Sequence, residues 1–361
     1  MKRCLLLLMI AGALGSCVTH QVATEPHSVL KQRCSAGSDL ACHDYAFLTY
    51  DANPTAAEQV YRQLCEKKLA RACSNLAHRL TERTAPDFEQ ARVLYERGCE
   101  LKDGIACHHL ANLYILEQGV AKDDQRALTL LEKSCELAYA QACFRVSVII
   151  QRGKLTVADP LKAFTYMERG CELTDSISCH DLGYMFLDGR GTTKSAERAA
   201  ELFQSSCAQG LPRGCGSLAY LYQTGTGVAQ NYAEARRLNT KACQGDDGPS
   251  CANLGFMVQT GLGGSPDPTW AAQFYSKACG LKDALGCSNL GVLMADGLGV
   301  ERNDDAAVPL LLMGCADKIG EACRYLADFH AAGRGKLPKS NEMREFFCQK
   351  ALEYGEQVSC R

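Results

Sequence analysis

Cys99-Glu100-Leu101-Lys102-Asp103-Gly104-Ile105-Ala106-Cys107 sets two cysteines eight residues apart around a short polar turn. The same separation returns in Cys34 and Cys42, Cys65 and Cys73, Cys135 and Cys143, Cys171 and Cys179, Cys207 and Cys215, Cys243 and Cys251, Cys279 and Cys287, and Cys315 and Cys323. A tenth pair, Cys348 and Cys360, is spaced by twelve. From Cys99 to Cys315 the first member recurs every 36 residues. A fixed period of this length means one stacked array of similar units, not several unrelated domains.

Outward from each pair the pattern is helical. Counting from the second Cys, apolar residues fall at +3, +6 and +7 and a small residue at +4, as in Leu182, Met185, Phe186 and Gly183, or Leu290, Leu293, Met294 and Gly291. That spacing makes an amphipathic helix of about three turns. A glycine at +10 (Gly153, Gly189, Gly225, Gly261, Gly297, Gly333) suits a left-handed helix cap. A second helix then runs into the next pair. Eight residues before that pair stands Ala57, Ala91, Ala127, Ala163, Ala199, Ala235, Ala271 or Ala307, small enough for two helices to approach. Tyr95, Tyr166, Phe203 and Tyr275 are expected to fill the space about a turn later.

Each Cys pair thus sits at a helix–turn–helix corner, where alpha carbons come within disulfide reach. Pairing between corners would have to join sulfurs some 28 residues apart on helices aimed elsewhere. Zinc sites favour cysteines two to four residues apart, and the sequence has no C-x-x-C. Local bonds are the favoured reading for all ten pairs, and no metal and no cofactor are expected. Each closed loop of about nine residues is worth about 2.6 kcal/mol on the chain-entropy model.

Twenty-two Cys in 361 residues point to an oxidising compartment. The start agrees. Met1-Lys2-Arg3 is basic, Cys4 to Gly12 is an apolar run too short to span a bilayer, and Leu14-Gly15-Ser16-Cys17 follows. This resembles a bacterial lipoprotein box, which implies cleavage before Cys17 and acylation of its sulfur. The expected organisation is a signal peptide at 1–16, a lipidated end and tether at 17–27, and a solenoid at 28–361. Val18 in place of Asp favours the outer membrane, facing the periplasm, by resemblance to lipoprotein sorting. A net charge of -2 without a basic block argues against nucleic acid. Membrane attachment is expected through the lipid alone, and the chain is expected to be a monomer.

The Cys-x7-Cys pairs, the small +4 residue, the lone Ala and the linkers Gly225-Thr226-Gly227, Gly261-Leu262-Gly263 and Gly297-Leu298-Gly299 resemble the SEL-like repeat family, relatives of tetratricopeptide repeats. They are most similar to its disulfide-rich branch, the Helicobacter cysteine-rich proteins. The resemblance covers about residues 28–360. It implies an all-α, right-handed superhelix of about nine disulfide-linked hairpins with a concave groove, and an adaptor role at the cell envelope. Departures are the short second unit, Glu117 in the +10 glycine place, and the wide last pair.

On the first helix, +2 and +5 point away from the core positions at 100° per residue. The resemblance implies that this face lines the groove. Asp181, Tyr184, Ser217, Tyr220, Asn253 and Phe256, continued by Asn289, alternate polar with aromatic and are the expected ligand contacts. Asn and Asp suit a peptide backbone or a sugar, and the aromatics suit side-chain pockets. The expected function is an envelope-anchored scaffold binding a peptide segment or a cell-wall fragment. The alternative is a β-lactamase-like, penicillin-binding protein, which the resemblance implies for some members. Its support in the residues is slight: Ser28-Val29-Leu30-Lys31 fits S-x-x-K, but no K-T-G or S-D-N accompanies it. No catalytic residue is assigned. His43, His78, His108, His109 and His180 fall in different repeats and are expected to be ordinary surface or groove side chains.

Overall fold

A computed structural model describes residues 25–153 and 157–358. The signal segment 1–16, the acylation site Cys17 with most of its tether, and Cys360, the expected partner of Cys348, lie outside the described residues. The chain divides into two compact units, residues 1–194 and 195–361.

Unit 1 holds, among the described residues, ten helices: α1 (His27–Ser35), α2 (Asp39–Thr49), α3 (Pro54–Glu66), α4 (Ala70–Thr81), α5 (Phe88–Glu100), α6 (Gly104–Leu116), α7 (Asp124–Glu136), α8 (Ala140–Arg152), α9 (Pro160–Glu172) and α10 (Ser176–Asp188). Unit 2 holds nine: α11 (Ala196–Ala208), α12 (Pro212–Thr224), α13 (Tyr232–Gln244), α14 (Gly248–Thr260), α15 (Pro268–Gly280), α16 (Ala284–Asp296), α17 (Asp304–Ala316), α18 (Gly320–Ala332) and α19 (Asn341–Glu353). Within each unit, helices adjacent in sequence pack on each other. Even-numbered helices also meet across repeats, as α4 meets α6 and α14 meets α16. Each unit is therefore a solenoid of helical hairpins, all-α among the described residues.

Nine disulfides close the corners of the described residues, and all nine are the local pairs expected from the spacing of eight. In unit 1 they are Cys34–Cys42, Cys65–Cys73, Cys99–Cys107, Cys135–Cys143 and Cys171–Cys179. In unit 2 they are Cys207–Cys215, Cys243–Cys251, Cys279–Cys287 and Cys315–Cys323. Their alpha carbons lie 4.4–4.8 Å apart. Each bond ties the end of an odd-numbered helix to the start of the next even-numbered one. The second sulfur of the pair goes deep into the core. Cys73, Cys107, Cys143, Cys179, Cys251, Cys287 and Cys323 are 0% exposed and Cys215 is 1% exposed, whereas Cys42 of the first corner is half-buried. These cysteines are therefore structural crosslinks out of reach of a ligand, and they stand apart from the groove positions that follow them on the same helices.

Between the two cysteines the chain reverses through a left-handed residue three places after the first Cys. Seven corners put a side chain there: Lys68, Lys102, Ala138, Thr174, Asp246, Lys282 and Lys318, with φ of 62–67°. Gly37 and Gly210 serve two others, at 93° and 90°.

Every odd helix from α3 onward starts on a side-chain cap. Asn53, Asp87, Asp123, Asp159, Ser195, Asn231, Asp267, Asn303 and Ser340 each accept a backbone N–H of the first turn. Such a cap is worth about 1 kcal/mol. Even helices end as expected. Gly153, Gly189, Gly225, Gly261, Gly297 and Gly333 are all left-handed. Glu117 takes the same conformation at the exceptional place, with φ of 55°. The second glycine of each Gly-x-Gly linker has a separate task. A Cβ on Gly227 would lie 2.3 Å from the carbonyl of Ala196, so the linker backbone rests on the first turn of α11.

The fixed small position is packed tight: the eight Ala of the odd helices are 0–3% exposed. The small +4 residue receives the large residue four before the next pair. A Cβ on Gly255 would be 2.6 Å from the ring of Tyr275, and one on Gly291 would be 3.0 Å from Leu311. Tyr95, Phe203 and Tyr275 are buried as expected. Tyr166 is not: it is half-buried with its hydroxyl on Glu132 at 3.3 Å, and Met167 takes the core place. The reason is register, since Tyr166 stands five places before its Cys and the core place is four before.

Candidate functional site

The even-numbered helices carry the positions of interest. At +5, Tyr184, Tyr220 and Phe256 are 39%, 58% and 44% exposed. Phe47, Val148 and Val292 at the same place are half-buried, and Asp328 is exposed. At +2, Asp44, Asn75, His109, Arg145, Asp181, Ser217, Asn253, Asn289 and Tyr325 are all half-buried. This corrects the expectation that +2 simply faces away from the core. Helices packed about 8–10 Å apart leave a +2 side chain within reach of the preceding repeat. Thus Asn75 meets His43 Nε2 at 3.0 Å, Tyr325 donates to Asp296 at 2.5 Å, and Arg145 donates to the Oδ1 of Asn112. The face is laced by these contacts and opens mainly at +5.

Unit 1 has a recess on this face. Val148, Gln151, Asp181, Tyr184 and Arg190 line a volume of about 180 Å³. Asp181 Oδ1 pairs with the Nδ1 of His180 at 2.9 Å, and the His180 ring meets Tyr184 edge-on at 5.1 Å. Arg190 donates to Gln151 Oε1 and to Asp188 Oδ2, both at 3.0 Å. The recess offers a carboxylate, a guanidinium and an aromatic wall, a set suited to a polar segment with one apolar side chain. Asp181 and Tyr184 were legible as candidates. Gln151 and Arg190 were not. Arg190 is the middle residue of Gly189-Arg190-Gly191, which reads as a turn, and its signal was only that a long charged side chain sat between two glycines. In unit 2, Ser217, Tyr220, Asn253, Phe256 and Asn289 lie on α12, α14 and α16, with the two aromatics exposed and the three polar residues half-buried.

Three of the five histidines depart from expectation, while His78 and His109 stay half-buried at the groove positions. His43, His108 and His180 are 1%, 7% and 7% exposed, because +1 faces the adjacent repeat rather than solvent. His109 lies between rings, 5.5 Å from His78 and 5.4 Å from Tyr95, while His108 meets Tyr139 edge-on at 5.0 Å. Burial lowers both imidazole pKa values, to about 3 for His108 and about 4 for His109. The neighbouring imidazoles and Arg145 push the same way. Both are neutral near pH 7. No group of three or more metal-ligating side chains forms among the described residues. No described helix is long and apolar enough to cross a membrane. Ser28 and Lys31 are both exposed on α1.

Comparison with known proteins fits this construction. Residues 70–103, 104–139, 140–175, 176–211, 212–247, 248–283, 284–316 and 320–355 each match the Sel1 repeat. Among solved structures, a protective antigen of uropathogenic Escherichia coli strains displaying an SLR fold is similar at TM-score 0.68 and 21% identity. That match covers 91% of this chain and 79% of the antigen. A Sel1 repeat protein from Oxalobacter formigenes gives TM-score 0.63 and 19% identity, over 86% of this chain and 90% of that one. Cysteine rich protein B of Helicobacter pylori is 28% identical over 38% of this chain and 99% of its own, with TM-score 0.31. No curated protein matches. With eight repeats matched along most of its length, the chain belongs to the Sel1 repeat family.

Proposed function

We propose that this protein is an envelope-anchored scaffold that holds a peptide segment, or a cell-wall fragment, on the even-helix faces of its two units. The family is one of protein–protein interaction repeats. The observation that carries the finer reading is the exposure of Tyr184, Tyr220 and Phe256 at one repeat position. Large rings held out of the core on rigid helices are the kind of side chain that anchors recognition surfaces. Polar +2 neighbours such as Asp181 and Asn253 supply hydrogen bonds to an extended backbone beside them. Anchoring at Cys17 and a periplasmic place rest on the lipoprotein-like start and the cysteine content. Cys17→Ser should then release the protein from membranes.

The test is selection of displayed peptides on the oxidised chain, followed by titration against Tyr184→Ala/Tyr220→Ala/Phe256→Ala. Affinity should fall about 10-fold or more, since an anchor is typically worth over 1 kcal/mol. The helical circular dichroism should not change, because none of the three side chains is in the core. Full affinity in an intact triple variant would move the binding surface elsewhere.

A further inference from the structure

We propose that the face of unit 1 made by α6 and α8 binds a carboxylate at Arg145 and Asn112, supplied by an acidic side chain or a chain terminus of a bound protein segment. Arg145 is a half-buried cation that forms no ion pair among the described residues. Several other arginines of unit 1 are matched, Arg79 with Glu82 at 3.0 Å, Arg83 with Glu58 at 2.6 Å and Arg92 with Glu96 at 2.8 Å, while Arg71 and Arg97 share with Arg145 the lack of an ion pair among the described residues. Burial lowers the pKa of Arg145, which expresses the cost of holding its charge away from water. A guanidinium still stays charged, so that cost persists until an anion arrives.

The donors are arranged for one. One guanidinium N–H goes to Asn112 Oδ1, which leaves the amide N–H groups of Asn112 as further donors beside the cation. The remaining guanidinium N–H groups and the Asn112 amide together make the pattern a two-oxygen acceptor uses. Two carboxylates that act on Tyr139, the ring whose charge Arg145 also feels, are already engaged. Asp103 accepts from Ile105 N–H at 3.0 Å and from the Ser74 hydroxyl, and Asp175 accepts from Ser178 N–H at 2.7 Å. Near enough to Arg145 to feel its charge, the buried His108 has an Nδ1 without a hydrogen-bond partner among the described residues. A buried polar atom thus lacks a partner near a cation that has no carboxylate of its own among the described residues. Neutral His108 and His109 add no positive charge that would make the site a general anion trap.

This extends the scaffold reading to a charged contact, but its test is independent of the aromatic positions. The oxidised chain is titrated with N-acetylglycine, with the α-amide of N-acetylglutamate, and with N-acetylglycinamide. The readout is the nuclear magnetic resonance shift of the Arg145 Nε–H and of the His109 ring. We expect saturable, millimolar binding of one or both carboxylates and none of the amide. The tighter of the two carboxylates identifies a chain terminus or an acidic side chain as the source. Asn112→Ala should weaken binding several-fold, and Arg145→Gln should weaken it about 10-fold or more, as loss of a hydrogen bond to a charged group does. Arg145→Lys keeps the charge without the planar fork, so it guards against misfolding of the Gln variant, and it should be intermediate. Equal response to the amide, or equal affinity for carboxylate in Arg145→Lys and Arg145→Gln as in the unaltered chain, would overturn the proposal.

Discussion

His108 and His109 make the acid response of unit 1 a matter of two side chains. In the unfolded chain an imidazole takes its proton near pH 6.5. In the folded chain burial holds these two near 3 and 4. Between about pH 6.5 and 4 the unfolded state binds more protons, so stability rises with pH across that window and falls on acidification. His78, Arg145, Tyr95 and Tyr139 surround the pair and none is a carboxylate that could reverse the sign. Urea midpoints followed by circular dichroism at pH 7 and pH 5 should show this loss. A free carboxylate ordinarily titrates at about pH 4, below this interval. His109→Gln should flatten the slope. An identical slope in that variant would show that the imidazoles are not its source.

At the scale of the element, the corner is where sequence and geometry conflict. A left-handed residue three places after the first Cys is strained for a side chain by about 1–2 kcal/mol. Lys102 and Lys282 accept that strain, with φ of 67° and 66°. Their side chains make no hydrogen bond or ion pair in return among the described residues. Lys102→Gly and Lys282→Gly should therefore each stabilise the chain, by about 0.5–1 kcal/mol once the greater freedom of glycine in the unfolded state is subtracted. Gly210→Ala should do the reverse, and a raised or unchanged denaturation midpoint for Gly210→Ala would refute the strain argument. The corner holds its geometry because the disulfide, the helix ends and the next repeat all constrain it. Lys277 Nζ, for example, donates to the carbonyl of Cys243 at 2.6 Å, capping the end of α13 from one repeat away.

For the whole molecule, the consequence of repetition is locality. Each hairpin of a solenoid touches its neighbours and little else, so stability is a sum of local and nearest-neighbour terms. Removing one staple, as in Cys207→Ser with Cys215→Ser, should cost about 2–3 kcal/mol by the loop-closure argument. The cost should be confined. Hydrogen exchange should quicken in α11, α12 and α13 and remain unchanged in α16 to α18. Uniform loss of protection throughout unit 2 would mean that it unfolds as one cooperative body. Locality also suits a scaffold, since the even-helix face can change its side chains repeat by repeat without disturbing the odd helices that carry the core alanines.

The sequence by itself determined the architecture. A 36-residue period, a cysteine pair at each corner, an alanine at a fixed place and a glycine at +10 are short-range facts, and in a solenoid short-range facts suffice to define the unit. The nine Cys pairs spaced by eight are the nine bonds seen among the described residues, from Cys34–Cys42 to Cys315–Cys323, because residues so close around a turn have no other partner within reach. The side-chain caps, from Asn53 to Ser340, lie twelve residues before the first Cys in all but the last unit. Only the tertiary structure decided what lies between repeats. A helical wheel treats one helix alone and does not include its neighbours, of which the next repeat closes over +1, as Tyr139 does over His108, and the preceding one meets +2, as Asn112 meets Arg145. The burial of His43, His108 and His180, the recess beside Arg190 and the amide rather than carboxylate partner of Arg145 all arise from that stacking. They depend on pairs some 30 residues apart, such as Arg145 with Asn112, which no period within one repeat encodes.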